Sequence, residues 1–148
     1  MAITILYASE TGNAESLANA ASAMLGARGL KTAVSRMDKF PVADLQSVKC
    51  LPVITSTHGE GEPPDNGRSM WEAIQDPGLD LSKLYYTVCG LGDRDYEDFC
   101  QCGKDFDRFL EQRGAKRFHA RQDCDAEFED DYTDWLAGVL AVLKQAAA

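Results

Sequence analysis

The feature of this chain that most constrains its fold is an alternation of short strand-like runs with longer amphipathic runs. The predicted strands are Ile3–Tyr7, Lys31–Ser35, Cys50–Thr55, Leu84–Cys89 and Lys116–Ala120. In the segments between and after them, apolar residues recur at helical spacing. Strands separated by helices pair in parallel, and their right-handed crossovers cover both faces of the sheet. The alternation therefore predicts an α/β fold built on a five-stranded parallel sheet.

The sequence marks four of the predicted helices clearly and a fifth weakly. The first runs from about Ala14 to Arg28, and Gly29 is expected to end it in the left-handed region. A weaker helix is predicted after Pro41. Pro52 argues against a central position for the third strand, unless it lies at the strand's start, because proline lacks the N–H. The apolar faces of the four clear helices comprise Leu17, Ala18, Ala21, Met24 and Leu25; Met70, Trp71 and Ile74; Cys102, Phe106, Phe109 and Leu110; and Phe128, Tyr132, Trp135, Leu136, Val139 and Leu143.

Composition limits the classes of function that the chain can have. Its 148 residues suit one domain spanning 1–148, and no apolar run is long enough to cross a membrane. The formal charge of −9 disfavours nucleic acid and anionic membranes, and it favours a basic protein partner. The five cysteines show neither a disulfide framework nor paired metal-ligand spacing, which predicts reduced thiols in the cytoplasm. The Met1 start, the early first strand and the alanine tail suit a free-standing chain without a signal peptide.

The segment from Ser9 to Glu15 predicts an anion site. It joins the first strand to the first helix, and the unpaired N–H groups of a helix N-terminus favour negative charge. Ser9 and Thr11 add hydroxyl donors, and Gly12 lets the backbone close around a phosphate. The segment contains no Lys or Arg and matches neither G-x-x-x-x-G-K-[ST] nor G-x-G-x-x-G, so a monophosphate ester suits it better than a triphosphate with Mg²⁺. An ordinary capped helix start is the alternative.

Topology is expected to bring this segment together with two others. In parallel α/β sheets, ligands bind outside the carboxyl ends of the strands, at the topological switch point. That edge would gather three loops: the first loop Ser9–Asn13, the second loop Thr55–Glu62 and the third loop Leu91–Cys100. Their convergence, rather than any single motif, predicts a binding site.

The three loops carry motifs that resemble those of flavodoxin-fold FMN proteins. The likeness is greatest to the FMN domains of diflavin reductases, such as the sulfite reductase flavoprotein and cytochrome P450 reductase. The matching motifs are Ser9-Glu-Thr-Gly-Asn-Ala-Glu15, Thr55-Ser-Thr-His-Gly-Glu-Gly-Glu-Pro-Pro64 and Leu91-Gly-Asp-Arg-Asp-Tyr-Glu-Asp-Phe99, followed by Gly103-Lys104. The resemblance implies a three-layer flavodoxin-like sandwich with strand order 2-1-3-4-5, in a short-chain form without a long insertion in the last strand.

The resemblance also implies noncovalently bound FMN and the residues that hold it. No catalytic or metal-binding residue is expected. The expected cofactor-binding residues are Ser9, Glu10, Thr11, Gly12, Asn13 and Ala14 around the phosphate; Ser56, Thr57, His58, Gly59, Glu60 and Gly61 along the inner face and N5 edge of the ring; and Leu91, Gly92, Asp93, Tyr96, Phe99 and Cys100 at the outer face and pyrimidine edge.

Two of these residues have alternative interpretations. Tyr96 is expected to stack on the outer face of the flavin, since aromatic rings pack well on flat apolar rings. Alternatively, it is an ordinary tyrosine of a charged loop. Many relatives carry Trp or Tyr where this chain has His58, which is a smaller and partly polar platform. The alternative for His58 is a loop histidine that simply faces water.

Acidic residues cluster in and after the loops, and we call this set the acidic rim. Such clusters are often only solvated surface, but at the rim of a redox site they can steer a basic partner. The set consists of Glu60, Glu62, Asp65, Asp93, Asp95, Glu97, Asp98, Asp123, Asp125, Glu127, Glu129, Asp130 and Asp131.

Together these features predict an electron carrier and not an enzyme. By the resemblance, the flavin shuttles single electrons between an NAD(P)H-dependent flavoprotein reductase and an acceptor protein, and the chain is a monomer. A flavodoxin-like NAD(P)H/quinone oxidoreductase is the main alternative, and a phosphate-binding module without redox activity is another. A low-molecular-weight phosphatase is excluded, because Cys89 to Arg94 is one residue short of Cys-x5-Arg.

Overall fold

The computed structural model describes residues 2–9 and 11–147 and confirms the predicted α/β class. The strands run in parallel in the order β2-β1-β3-β4-β5, as the resemblance implied, and β6 also pairs with β4. The elements are β1 (Ala2–Ala8), α1 (Asn13–Ala27), β2 (Lys31–Arg36), β3 (Cys50–Ser56), α2 (Asp65–Ala73), β4 (Tyr85–Leu91), α3 (Gln101–Gln112), β5 (Lys116–Arg117), β6 (Gln122–Cys124) and α4 (Glu129–Ala147).

The prediction of one last strand, Lys116–Ala120, was wrong. The chain leaves the sheet after Phe118, whose N–H still donates to the carbonyl of Tyr86, and returns to the same edge of β4, where Gln122 lies beside Cys89. In the interruption, His119 packs against α4 so closely that Gly138 has no room for a side chain. The second piece was missed because Gln122-Asp123-Cys124 lacks an apolar run.

Two apolar cores fill the space between the sheet and its helices. One lies under α2 and α3, and the other under α1 and α4. The predicted inward faces of α3 and α4 are confirmed, but Met24 of α1 is 43% exposed and Ala14 is buried in its place. Gly29 ends α1 with a φ of +83°, as predicted.

Pro52 lies in the central strand, contrary to the sequence-based objection. β3 is flanked by β1 and β4, and its pairing with β4 runs without a break past Pro52, which lies opposite Thr87. Its pairing with β1 instead skips Leu51 and Pro52. The missing N–H is therefore accommodated on the β1 side. The weak helix expected after Pro41 is a 3₁₀ segment, Val42–Ser47.

The register of the strands places the three loops next to one another. Ala8, Thr55, Gly90 and Asp123 form one row across the sheet at its carboxyl edge. Neighbouring strands lie about 4.8 Å apart, so the loops that follow these residues lie within reach of one ligand. Among residues 2–9 and 11–147, no helix is long and apolar enough to span a bilayer, and no three His, Cys, Asp or Glu side chains converge as metal ligands.

Candidate functional site

The first loop forms a tight turn onto α1. Gly12 has a φ of +85°, which glycine adopts without strain, and the Oγ of Ser9 accepts the N–H groups of Gly12 at 3.1 Å and of Ala14 at 3.3 Å. The main-chain N–H groups of Thr11 and Asn13 have no acceptor among the described residues. Both residues are exposed, so the start of α1 presents free donors to solvent. Glu10, which was also predicted to bind the cofactor, lies outside the described residues.

The second loop closes on itself around an exposed tip. The N–H of His58 donates to the carbonyl of Glu62 at 2.7 Å, and the N–H of Gly61 donates to the carbonyl of His58 at 3.2 Å. Two consecutive residues adopt left-handed backbone, Glu60 with φ +63° and Gly61 with φ +79°. Glycine accepts this conformation readily, but a residue with a Cβ is strained by about 1–2 kcal/mol. The loop thus stores local strain at Glu60.

The third loop is held by hydrogen bonds to β6 and to the residue that follows it. The N–H of Gly92 donates to the carbonyl of Cys124 at 2.9 Å, and Asp125 accepts the N–H of Arg94 at 2.9 Å. A Cβ on Gly92 would lie 3.0 Å from the Cys100 nitrogen, so the loop returns on itself at this point. The loop therefore depends on β6 and Asp125, neither of which was predicted from the sequence to support it.

The second and third loops enclose a cavity of about 480 Å³. Ligand sites for small molecules measure about 300–1,000 Å³, so its size is in the expected range. Tyr96 lies at its margin with 71% of its surface exposed. The cavity is lined by Thr57, His58, Glu60 and Gly61 of the second loop and by Gly92, Asp93, Tyr96, Glu97, Asp98, Phe99 and Cys100 of the third.

Two contacts fix the two walls of the cavity relative to each other. The Oγ1 of Thr57 accepts the N–H of Cys102 at 3.0 Å, and the N–H of Thr57 donates to the carbonyl of Leu91 at 3.2 Å. The ring of Phe99 lies between Arg94 and Lys104, whose charged groups are 5.3 and 5.7 Å from its centroid. Thr57 and Phe99 thus support the cavity as well as lining it.

The electrostatic character of the cavity is acidic. Glu60, Asp93, Glu97 and Asp98 contribute carboxylates to its lining. At its rim, hydrogen bonds from the N–H groups of Arg94 and Ala126 lower the pKa of the Asp125 carboxyl, which therefore stays charged. Burial raises the pKa of the Cys100 thiol to about 12, so this cysteine is neutral and a poor nucleophile. The cavity suits a neutral flat group, whereas an anion is better placed at the first loop.

The structure separates the predicted residues into three groups. The cavity brings together most of those of the second and third loops, whereas Ser56 and Leu91 do not line it. Ser56 ends β3, and Leu91 ends β4 with its side chain in the apolar core. Ser9, Thr11, Gly12, Asn13 and Ala14 form a separate turn at the start of α1.

Sequence reasoning missed one residue that contacts the first loop. Asn66, in the first turn of α2, bonds to both backbone groups of Ser9. It also lines, with Ser9, Arg36, Asp38 and Asp65, a second concavity of about 410 Å³. The only available signal was an amide two residues after Pro64, near a predicted helix start.

A comparison with known protein families identifies the family of this chain. The family model described as Flavodoxin matches residues 5–135. The chain belongs to the flavodoxin family. Flavodoxins are FMN-binding electron carriers, and this chain is a carrier of that kind.

Two groups of relatives resemble this flavodoxin along nearly its whole length. The sulfite reductase [NADPH] flavoprotein alpha-components of Bacillus subtilis and Neisseria meningitidis serogroup B are 44% and 40% identical over 97% and 99% of this chain. The chain spans only 24% of the length of each. A flavodoxin of Streptococcus pneumonia TIGR4 is 31% identical with a TM-score of 0.84, covering 99% of both chains. A short-chain flavodoxin associated with a non-canonical PDU bacterial microcompartment is 29% identical with a TM-score of 0.86, covering 100% of this chain and 99% of the other.

The residues present in this flavodoxin fit FMN. A phosphate monoester needs several hydrogen-bond donors, and the first loop offers free N–H groups and the hydroxyl of Thr11 without a competing carboxylate among its described residues. A planar ring needs a flat space with an aromatic face, and the cavity offers this at Tyr96. The two parts of the site lie at the same edge of the sheet.

Proposed function

We propose that this flavodoxin holds FMN noncovalently with its phosphate on the first loop and its ring between the second and third loops. The observation that carries the proposal is the combination of free N–H donors at the start of α1 with a cavity beside the exposed ring of Tyr96. Tyr96 covers the outer face of the ring, and His58 lies toward the inner face. The main chain of Leu91, Gly92 and Asp93 meets the pyrimidine edge.

The chain's own residues position the cofactor, exclude water and supply hydrogen bonds. When bound, FMN supplies the redox chemistry by accepting and releasing electrons one at a time. The Gly59–Glu60 peptide lies in the strained turn of the second loop, and we assign its carbonyl as the acceptor at the N5 edge. Glu60, whose N–H belongs to this peptide, is held in the left-handed region, so a change in the peptide's orientation could relieve strain at this residue.

The proposal is tested by the visible spectrum of the purified protein and by a reductive titration. A one-electron carrier should show bound FMN and two separate one-electron steps. A single two-electron step, with steady-state NAD(P)H oxidation by the isolated protein, would instead favour the NAD(P)H/quinone oxidoreductase. A colourless protein that takes up no added FMN would favour a phosphate-binding module without redox activity.

The carboxylates of the acidic rim suit protein partners with a positively charged surface. Three of its carboxylates are paired with arginines: Glu62 with Arg68, Asp123 with Arg121, and Asp125 with Arg94. Asp95 and Glu97 are exposed and form no ion pair among the described residues. We propose that the unpaired carboxylates orient an NAD(P)H-dependent flavoprotein reductase and an electron-acceptor protein toward the flavin. The names of the relatives, which are flavoprotein components of an NADPH-dependent reductase, agree with this assignment.

In this proposal the chain acts as a monomeric carrier in the cytoplasm and does not itself turn over a substrate. The five cysteines are all buried and unpaired, as expected in a reducing compartment. Burial raises the pKa of the Cys50 and Cys102 thiols, like that of Cys100, to about 12. Cys50 and Cys102 therefore have a structural role in the cores, and Cys100 lines the cavity as a neutral thiol. In this proposal the electrons pass through the flavin alone.

A further inference from the structure

A side chain that belongs to none of the three loops holds the first loop in place. Asn66 accepts the N–H of Ser9 on its Oδ1 at 3.1 Å and donates its Nδ2 to the carbonyl of Ser9 at 2.9 Å. The two residues are 57 positions apart in the chain. Asn66 lies in the first turn of α2, yet its side-chain amide bonds to Ser9, the residue that follows β1, and not to its own helix.

The reciprocal pair suits an amide and no other side chain of similar size. An acceptor and a donor must lie side by side to meet the carbonyl and the N–H of one residue, and asparagine supplies both on one planar group. Aspartate would keep the acceptor but place a carboxylate oxygen against the Ser9 carbonyl. Alanine would leave both backbone groups of Ser9 without their partners in a nearly buried position.

Ser9 transmits this support to the donors of the first loop. Its Oγ accepts the N–H groups of Gly12 and Ala14, so its position sets the path of the turn onto α1. The start of α2 is itself fixed by packing, because a Cβ on Gly67 would lie only 2.7 Å from the Cβ of Ala8. A continuous set of contacts therefore runs from α2 through Asn66 and Ser9 to the turn that presents Thr11 and Asn13.

We propose that Asn66 is a positioning residue for the phosphate of FMN. It holds Ser9 so that the donors of the first loop are arranged for the dianion before the cofactor arrives, which lowers the ordering cost of binding. Asn66 does not itself need to touch the phosphate. The inference rests on the proposed function, since it concerns the affinity of the same site for FMN.

The test compares FMN with riboflavin, which lacks the phosphate, by fluorescence titration of apoprotein. In Asn66→Ala, FMN affinity should fall about 10-fold, in line with the loss of two hydrogen bonds, whereas riboflavin affinity should change less than about 2-fold. Gln75→Ala is the control, because Gln75, which lies just after α2, also donates to a main-chain carbonyl, that of Trp71, but away from the first loop. It should leave both affinities at the parent values.

Further measurements separate positioning from general stability. Inorganic phosphate should raise the thermal midpoint of the parent apoprotein, and this rise should shrink in Asn66→Ala but persist in Gln75→Ala. If Asn66→Ala does not fold, Asn66→Asp takes its place, and its FMN-to-riboflavin affinity ratio should also fall about 10-fold, because a carboxylate cannot donate to the Ser9 carbonyl and so no longer holds the first loop. Equal losses for the two flavins, or an unchanged ratio in the variant that folds, would overturn the inference while leaving the proposed function intact. A parent that binds neither flavin would instead refute the proposed function.

Discussion

Gly61 and Asp98 bring the second and third loops so close together that a Cβ atom added at Gly61 would lie 3.1 Å from the Cβ of Asp98. The same glycine has a φ of +79°. Both the backbone conformation and the available space therefore require glycine at this position. The cavity that we assign to the flavin ring is closed on one side by this contact.

We expect Gly61→Ala to lower the free energy of unfolding by about 1–2 kcal/mol and to weaken FMN binding, because the two loops must separate. Denaturant unfolding and a flavin titration measure the two effects. Gly26→Ala is the matched control, since Gly26 lies in α1 and a Cβ added there meets no atom of another described element within 4 Å. It should be neutral or stabilise the protein by up to about 1 kcal/mol. A Gly61→Ala protein with parental stability and affinity would contradict the close contact.

Tyr96→Ala tests the assignment of the stacking ring. Loss of the ring should weaken FMN binding by about 1–3 kcal/mol and increase the fluorescence of the bound flavin, which an adjacent aromatic ring quenches. Tyr85→Ala provides the control, because Tyr85 is 48% exposed but starts β4 at the opposite edge of the sheet. If Tyr96→Ala binds FMN with the same affinity as the parent and the bound flavin remains equally quenched, another residue covers the ring.

Thr11→Val tests the placement of the phosphate. Its hydroxyl is an exposed donor next to the free N–H groups at the start of α1. A hydrogen bond to a charged group contributes about 1.5–3 kcal/mol, so FMN affinity should fall by this amount while riboflavin affinity stays constant. Thr133→Val, on the exposed surface of α4, should change neither affinity. Parallel losses for FMN and riboflavin would move the phosphate away from the first loop.

Asp107 links stability to pH. Burial opposes its ionisation, but hydrogen bonds from Tyr86, Arg117 and Arg121 outweigh this effect and lower its pKa. A lowered pKa in the folded state stabilises the protein above the unfolded value of about 3.9, and this stabilisation is lost as the pH falls through the folded value.

Asp107→Asn should therefore cost about 1–3 kcal/mol at pH 7, and the difference from the parent should shrink as the pH falls below about 4. Denaturant unfolding at pH 7 and at pH 3 measures this. The exposed Asp44→Asn should unfold like the parent at both values. A constant difference for Asp107→Asn between pH 7 and pH 3 would show that its charge is not the stabilising feature.

Charge reversal tests the acidic rim. Asp95→Lys combined with Glu97→Lys should slow reduction by a partner reductase at low salt, because it weakens electrostatic steering, and should leave FMN in place. The parental rate should fall as salt is added, since exposed charges are screened over about 8–10 Å. Asp44→Lys combined with Glu72→Lys makes the same change of charge on exposed residues away from the three loops. If both double variants slow reduction equally, net charge matters and the rim does not.

The sequence predicted well those features that depend on local pattern. The helix faces and the neighbourhood of the second and third loops follow from apolar periodicity and topology, and the structure agrees for residues such as Trp135 and Phe106, which are buried as expected. The strand order was implied by the family resemblance. Features that depend on a distant partner were not predicted. Asn66 meets Ser9 from 57 positions away, and the register of β3 against β1 decides how Pro52 is tolerated. Periodicity carries no information about such pairs.

The interruption between β5 and β6 also makes the two edges of the sheet unlike each other. β2 presents six consecutive residues at one edge, whereas the other edge is divided into two residues of β5 and three of β6. An unpaired edge strand is a template for adding a strand from another molecule, and short or broken edges resist this. Because the broken edge offers only a short row of main-chain donors and acceptors, edge-to-edge polymerisation is disfavoured on that side. The β2 edge begins with the exposed Lys31, whose charge disfavours pairing with a second copy of the same strand.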